Sequence, residues 1–134
     1  MLIATWNVNS IRTRLSQIID WINQVNPDVL CLQETKVMDD NFPVESFEQL
    51  GYSLEFYGQK SYNGVAIISK IKPENVKKGF NGCTEFNQNS EIFLDQKRLI
   101  SADINGIKII NVYVPNGSSL ESSKFEYKIN WLNC

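Results

Sequence analysis

Pro27-Asp28-Val29-Leu30-Cys31-Leu32-Gln33-Glu34-Thr35-Lys36 is an apolar run of strand length that ends abruptly in a carboxylate, flanked by an amide and a lysine. Pro27 and Asp28 mark the entry, and residues 29–32 suit a short buried strand. A buried strand in an α/β protein delivers its functional groups at its C-terminal end, where the backbone leaves the sheet. Glu34 stands at that spot. The rest of the chain reads as elements that bring other polar groups to it.

Upstream, Leu2 to Trp6 is a β-rich opening that Asn7-Val8-Asn9-Ser10 interrupts. Ser10 or Asn9 is a good N-cap for a helix beginning there. Ile11, Leu15, Ile18, Ile19, Ile22 and Val25 recur at three- and four-residue steps, which predicts an amphipathic helix of about four turns. Asn26-Pro27 ends it. Strand, helix and strand with brief loops favour a parallel pair whose two strands exit on the same sheet edge. Asn7 and Glu34 are therefore expected to be neighbours.

Downstream, Val37 to Pro43 is polar and acidic, a loop, and Val44 to Leu50 is a short helix ended by Gly51. Tyr52 to Tyr57 and Gly64 to Ser69 read as two strands. Val65-Ala66-Ile67-Ile68 is apolar on both faces, which predicts a central position. Residues 70–90 carry scattered Lys, Gly and Asn and give the least structured reading. Arg98 to Ile104 and Ile107 to Val114 flank Asn105-Gly106, the strongest hairpin signal in the chain. After the turn Pro115-Asn116-Gly117 and a polar loop, Phe125, Ile129 and Leu132 begin a helical face that stops at Cys134 without a cap.

Composition bounds the chemistry. A chain of 134 residues, 43% hydrophobic and 21% charged, is ordinary for one globular domain. No apolar run approaches the roughly 20 residues that a membrane span needs. The opening Met-Leu-Ile-Ala-Thr-Trp lacks a basic signal region, leaving the cytoplasm as the expected compartment. Cys31, Cys83 and Cys134 match no metal-ligand spacing and are expected as reduced thiols. A net charge of −2 argues against a sequence-independent coat for nucleic acid, but leaves room for a polyanion site built around a bound cation. The chain has no histidine, which excludes a Ser-His-Asp triad, a Cys-His dyad and a histidine-ligated zinc from these residues. A metal here would be a hard cation on oxygen ligands, Mg²⁺ or Mn²⁺.

Three places put polar groups at the ends of apolar strands: Asn7, Glu34, and Tyr113 with Asn116. Each alone has a plain structural explanation. Asn7 and Asn9 can end a strand and cap a helix, Glu34 and Lys36 can form a surface ion pair, and Tyr113 can be a half-buried strand residue. Together they resemble the exonuclease III and apurinic/apyrimidinic endonuclease branch of the endonuclease/exonuclease/phosphatase superfamily. The segments that carry the likeness are Thr5 to Arg12, the Pro27 to Lys36 run with its Leu-Gln-Glu-Thr-Lys ending, Gly58 to Ile67, and Asn111 to Gly117.

The resemblance implies an α/β (α+β) fold: the first half of a four-layer α/β sandwich, a mixed sheet with helices on one face. It implies a Mg²⁺- or Mn²⁺-dependent hydrolase of phosphodiesters, cutting DNA at abasic sites and trimming 3′ ends. Carried over position by position, it makes Glu34 the metal-ligating carboxylate and Asn7 a support for metal and phosphate. Asn9 stands where some relatives carry Asp and takes a lesser share of the metal. Lys36 would neutralise and orient the acidic cluster, and Tyr113 would be the active-site phenol beside the scissile phosphate. Arg12, Lys36, Tyr62, Asn63, Arg98 and Asn116 fall where the family contacts DNA.

The family's Gly-Asp-x-Asn and Ser-Asp-His segments do not occur in this sequence. Residues 1–134 are therefore expected to be the N-terminal part of a single, longer domain. They are expected to be nearly inactive alone and to aggregate or self-associate, with a monomer at full length and no membrane partner. Two other readings stay open: a half-domain that binds DNA or a protein partner without catalysis, and a phosphatase of the same superfamily.

Overall fold

The computed structural model describes residues 1–80 and 96–133. Of the expected thiols, Cys83 and Cys134 lie outside the described residues, while Cys31 is free and buried. Strand β1 (Ile3–Asn7), helix α1 (Leu15–Val25) and strand β2 (Val29–Gln33) open the chain. A 3-10 turn (Asp39–Asn41), a short helix α2 (Val44–Glu48) and strands β3 (Ser53–Tyr57) and β4 (Val65–Ser69) come next. Then come β5 (Glu74–Lys78), β6 (Leu99–Ile104), β7 (Ile107–Val112) and helix α3 (Ser123–Asn133). Among the described residues, no helix is long and apolar enough to cross a membrane.

The strands form two sheets. One has the order β1-β2-β4-β3, with β1 and β2 parallel and the other pairs antiparallel. It is the mixed sheet that the sequence predicts, with helices on one face. The other is an antiparallel sheet, β5-β6-β7. Alternation along β2 and β4 explains how the two stack. Leu30, Leu32, Ala66 and Ile68 face α1 and α2, where Ile18, Ile22, Phe42 and Phe47 complete a core. Val29, Cys31, Val65 and Ile67 face the second sheet and meet Ile100, Ala102, Ile104 and Ile109. β4 is buried at all five positions, in keeping with the central place its apolar run predicts. The β5–β7 layer covers that face of the mixed sheet.

Local chemistry accounts for most element boundaries. Asn26 adopts the left-handed conformation (φ 53°) and its N–H donates to the Ile22 carbonyl at 2.7 Å, ending α1 as expected. The helix starts later than its apolar pattern, at Leu15, because residues 11–14 form turns. Ser10 caps those turns: its Oγ accepts the Thr13 N–H at 3.4 Å. Asn105 and Gly106, both at positive φ (51° and 75°), make the two-residue β6–β7 turn between paired Ile104 and Ile107.

Two elements differ from expectation. β5 is a strand inside the stretch that reads as unstructured. Its residues are polar and mostly exposed, with only Val76 packed on the inter-sheet core, so it leaves no alternating apolar signal. On α3 the buried residue is Trp131, edge-on to Phe80 with ring centroids 5.3 Å apart. Ile129 and Leu132 of the expected face are exposed.

Candidate active site

The exits of β1 and β2 are stitched together by the main chain. The Val8 N–H donates to the Gln33 carbonyl (3.0 Å), Ser10 to Glu34 (2.8 Å) and Ile11 to Thr35 (3.1 Å). The entry to β4 joins them, because Gly64 and Asn63 offer carbonyls to Thr35 (3.2 Å) and Lys36 (2.9 Å). This lacing holds unusual backbone. Asn9, Ser10, Glu34 and Lys36 all have positive φ (43°, 90°, 54° and 54°), a conformation that costs free energy in non-glycine residues and gathers at functional sites.

Glu34 is the hub. Asn7 Nδ2 donates to its Oε1 at 2.8 Å, as the shared sheet edge predicts. Lys36 Nζ lies 3.3 Å from its Oε2 and also donates to Asn9 Oδ1. The Asn9 N–H in turn donates to Asn7 Oδ1 at 3.1 Å. Tyr113, just past the end of β7, brings its side chain into hydrogen bonding with the same carboxylate. Partial burial works to raise the Glu34 carboxyl, but hydrogen bonds from Asn7, Tyr113 and Lys36, with the Lys36 charge, outweigh it and hold it below the usual range. Burial, the hydrogen bond to Glu34 and the carboxylate's charge push the Tyr113 phenol up, against the opposing Arg98. At neutral pH the site thus presents an ionised carboxylate beside a protonated phenol.

Arg98 joins from the start of β6. Its guanidinium lies 4.6 Å from the Tyr113 ring centre and its Nη1 donates to the Tyr113 carbonyl at 3.2 Å. Beyond it a cleft of about 450 Å³ is lined by Arg98, Tyr113, Asn116, Lys124 and Tyr127 among others. Asn116 is exposed there, and its Oδ1 accepts the Ser118 N–H at 2.9 Å.

Three of the expected DNA contacts are not drawn into this cluster. Arg12 lines a groove between α1 and α2 with Ser46 and Gln49. Tyr62 is 70% exposed on the β3–β4 connection. Asn63 braces the β2 exit through its carbonyl, while its side chain donates to Gln59 Oε1 at 3.2 Å. In the other direction, Gln33 and Asn111 form a partly buried polar contact behind Glu34 that sequence reasoning did not single out. Their signal was a polar residue in the inward phase of an otherwise apolar strand.

The donor set bears on whether a cation fits. Among the described residues no group of three His, Cys, Asp or Glu side chains could hold a metal ion. One carboxylate with flanking amide oxygens suits a hard ion that keeps several waters, as Mg²⁺ does, and suits no thiophilic metal.

Comparison with known proteins bears on the fold and the family. The chain is 37% identical over 133 residues to exodeoxyribonuclease III of Haemophilus influenzae, covering 96% of this chain and 47% of that protein. A solved AP endonuclease from Archaeoglobus fulgidus superposes with a TM-score of 0.87 at 46% identity, over 99% of this chain and 49% of its own. A 3′ phosphatase from Neisseria, solved with a product DNA hairpin, gives a TM-score of 0.87 at 40% identity and the same coverage. The chain thus spans about half the length of these relatives. The model of the Endonuclease/Exonuclease/phosphatase family matches residues 4–104, and the chain belongs to that family.

Proposed function

We propose that residues 1–134 form the N-terminal part of one domain and carry one side of the active site of a Mg²⁺-dependent nuclease. The substrate is duplex DNA, cut at abasic sites and trimmed at 3′ ends, in the cytoplasm. The observation that carries this reading is the convergence of Asn7, Lys36 and Tyr113 from three strand exits onto the Glu34 carboxylate.

Phosphodiester hydrolysis needs charge stabilisation on the non-bridging oxygens, an activated water and help for the leaving oxygen. Glu34, supported by Asn7 and to a lesser degree Asn9, would hold the cation, which supplies Lewis-acid stabilisation of the phosphoryl oxygens. The other roles belong to the chain itself. Lys36 keeps the carboxylate ionised and pointed into the site. With substrate bound, the protonated Tyr113 hydroxyl would turn its one hydrogen from Glu34 to a phosphate oxygen. Arg98 and Asn116 line the adjoining cleft and would bind the backbone on one side of the scissile bond. Arg12 and Tyr62 lie farther out, where they would touch a longer duplex, and Asn63 would do so from beside the β2 exit. The base that activates water and the remaining metal ligands come from outside these residues, so the chain alone turns over little or no substrate.

Mn²⁺ binding measured by electron paramagnetic resonance tests the site directly. Glu34→Gln should weaken binding about tenfold or more, by analogy with the cost of disturbing metal-site residues. Strong metal-dependent cleavage of an abasic duplex by residues 1–134 that survives Glu34→Ala would overturn the assignment. A second reading, removal of a 3′ phosphate from DNA, is favoured by the 3′ phosphatase among the relatives. Parallel assays with an abasic duplex, a 3′-phosphorylated duplex and a phosphoinositide separate the candidates.

A further inference from the structure

The interface between the two sheets is apolar along most of its length, with Lys97 at its margin hydrogen bonded to Gly64 (2.8 Å), Gln59 (2.8 Å) and Tyr57 (2.9 Å). At the end nearest the candidate site this changes. Asn111, on β7, is 3% exposed. Its Nδ2 donates to the carbonyls of Leu32 (2.9 Å) and Ala66 (2.8 Å), in β2 and β4 of the opposite sheet. Its Oδ1 accepts the Gln33 Nε2 hydrogen at 2.7 Å. The Gln33 amide also reaches Thr5 Oγ1 (2.9 Å) and the Cys31 carbonyl (3.3 Å). One buried amide therefore engages two strands of the facing sheet, and Gln33 extends the contact to a third.

The placement in sequence matters as much as the bonds. Gln33 immediately precedes Glu34, and Asn111 stands two residues before Tyr113 on the same face of its strand. Glu34 and Tyr113 belong to different sheets, so any slippage between layers separates them. Directional hydrogen bonds add to the resistance that interdigitated hydrocarbon packing offers to such sliding.

We propose that Asn111 and Gln33 are a positioning pair: they fix the register of the two sheets and so hold the Tyr113 phenol against the Glu34 carboxylate. The pair touches no reacting atom. Its purpose rests on the reading above, in which those two side chains act on one phosphate.

The test uses the whole 134-residue chain with labelled tyrosine rings and no metal. The wild type should show a nuclear Overhauser effect between the Tyr113 ring and the Glu34 side chain. Asn111→Leu keeps an apolar filling but removes both donors, and that contact should vanish while the Asn7–Glu34 contact, held by the β1–β2 ladder, remains. Gln33→Met leaves both carbonyl bonds of Asn111 in place, so it keeps the fold if Asn111→Leu does not, and should weaken the same contact selectively. A Tyr113–Glu34 contact unchanged in folded Asn111→Leu, or in Gln33→Met should the first variant fail to fold, overturns the proposal. The pair would then contribute stability alone, read as a lower melting temperature. Mn²⁺ added to the wild type tests the other reading separately: absence of broadening at Asn7 and Tyr113 counts against a metal at Glu34 and leaves the register result standing.

Discussion

Glu34 shows how much one side chain can report about its surroundings. Its carboxyl titrates below the usual value in the fold, so folding favours the ionised form. That contribution is complete above the ordinary carboxylate range and is lost as pH falls through the folded value. The stability gap between wild type and Glu34→Gln should therefore shrink steadily in acid, measured as melting temperature against pH. Cys31 titrates the other way, pushed up to about 11 by burial. Iodoacetamide at mildly alkaline pH should label it far more slowly in the fold than in urea, as peptide mapping would reveal. Equal rates would mean that the inter-sheet face is open. The Asn7–Glu34 contact was legible in the sequence because parallel strands joined by one helix must exit together. Gln33 and Asn111 were overlooked although the pattern held them: Val29, Cys31, Gln33 and Ile107, Ile109, Asn111, Tyr113 each share one face. What the sequence could not supply was which face looked at which sheet.

Among the elements, turns were the most legible and polar strands the least. Asn105-Gly106 demands positive φ at both residues, a requirement few other pairs meet. Gly106→Ala should cost about 1 kcal/mol from backbone strain alone, since a Cβ there meets nothing within 4 Å. Gly64→Ala is a different case. Its Cβ would lie 2.0 Å from Thr35 Oγ1, so overpacking of about 1–3 kcal/mol adds to the strain. Thr35 sits between Glu34 and Lys36, and urea titration together with Mn²⁺ affinity should find both stability and metal binding reduced. β5 escaped the sequence because an exposed edge strand such as Glu74–Lys78 is specified by its neighbour's free hydrogen bonds rather than by its own apolar residues. The late start of α1 escaped for a related reason. Ile11 keeps the helical spacing and is fully buried, yet its own backbone belongs to a turn.

At the scale of the molecule, the two layers leave their free edges on the same side. β1 and β7 flank a groove of about 450 Å³ lined by Ile3, Thr5, Gln33, Ile110 and Val112 among others. Ile3 and Ile110 are exposed there at 44% and 61%, enough apolar surface beside unpaired strand edges to invite association. Sedimentation should show a concentration-dependent increase in mass, and Ile110→Lys should suppress it. A monomer at all concentrations would show that this groove is closed by other means. The layer architecture itself was legible only in part. A mixed sheet with helices on one side follows from alternation and loop length, whereas the division of the described strands between two sheets depends on pairings far apart in the chain.

The strands β2 and β4 have helices behind them and the second sheet in front. Their peptide hydrogens reach water only when the entire domain comes apart, so residues 30–32 and 66–68 should take up deuterium last and at one shared rate. That rate, converted to a free energy, would give the stability of the chain without any denaturant. The free edges of β1 and β7 would exchange long before it.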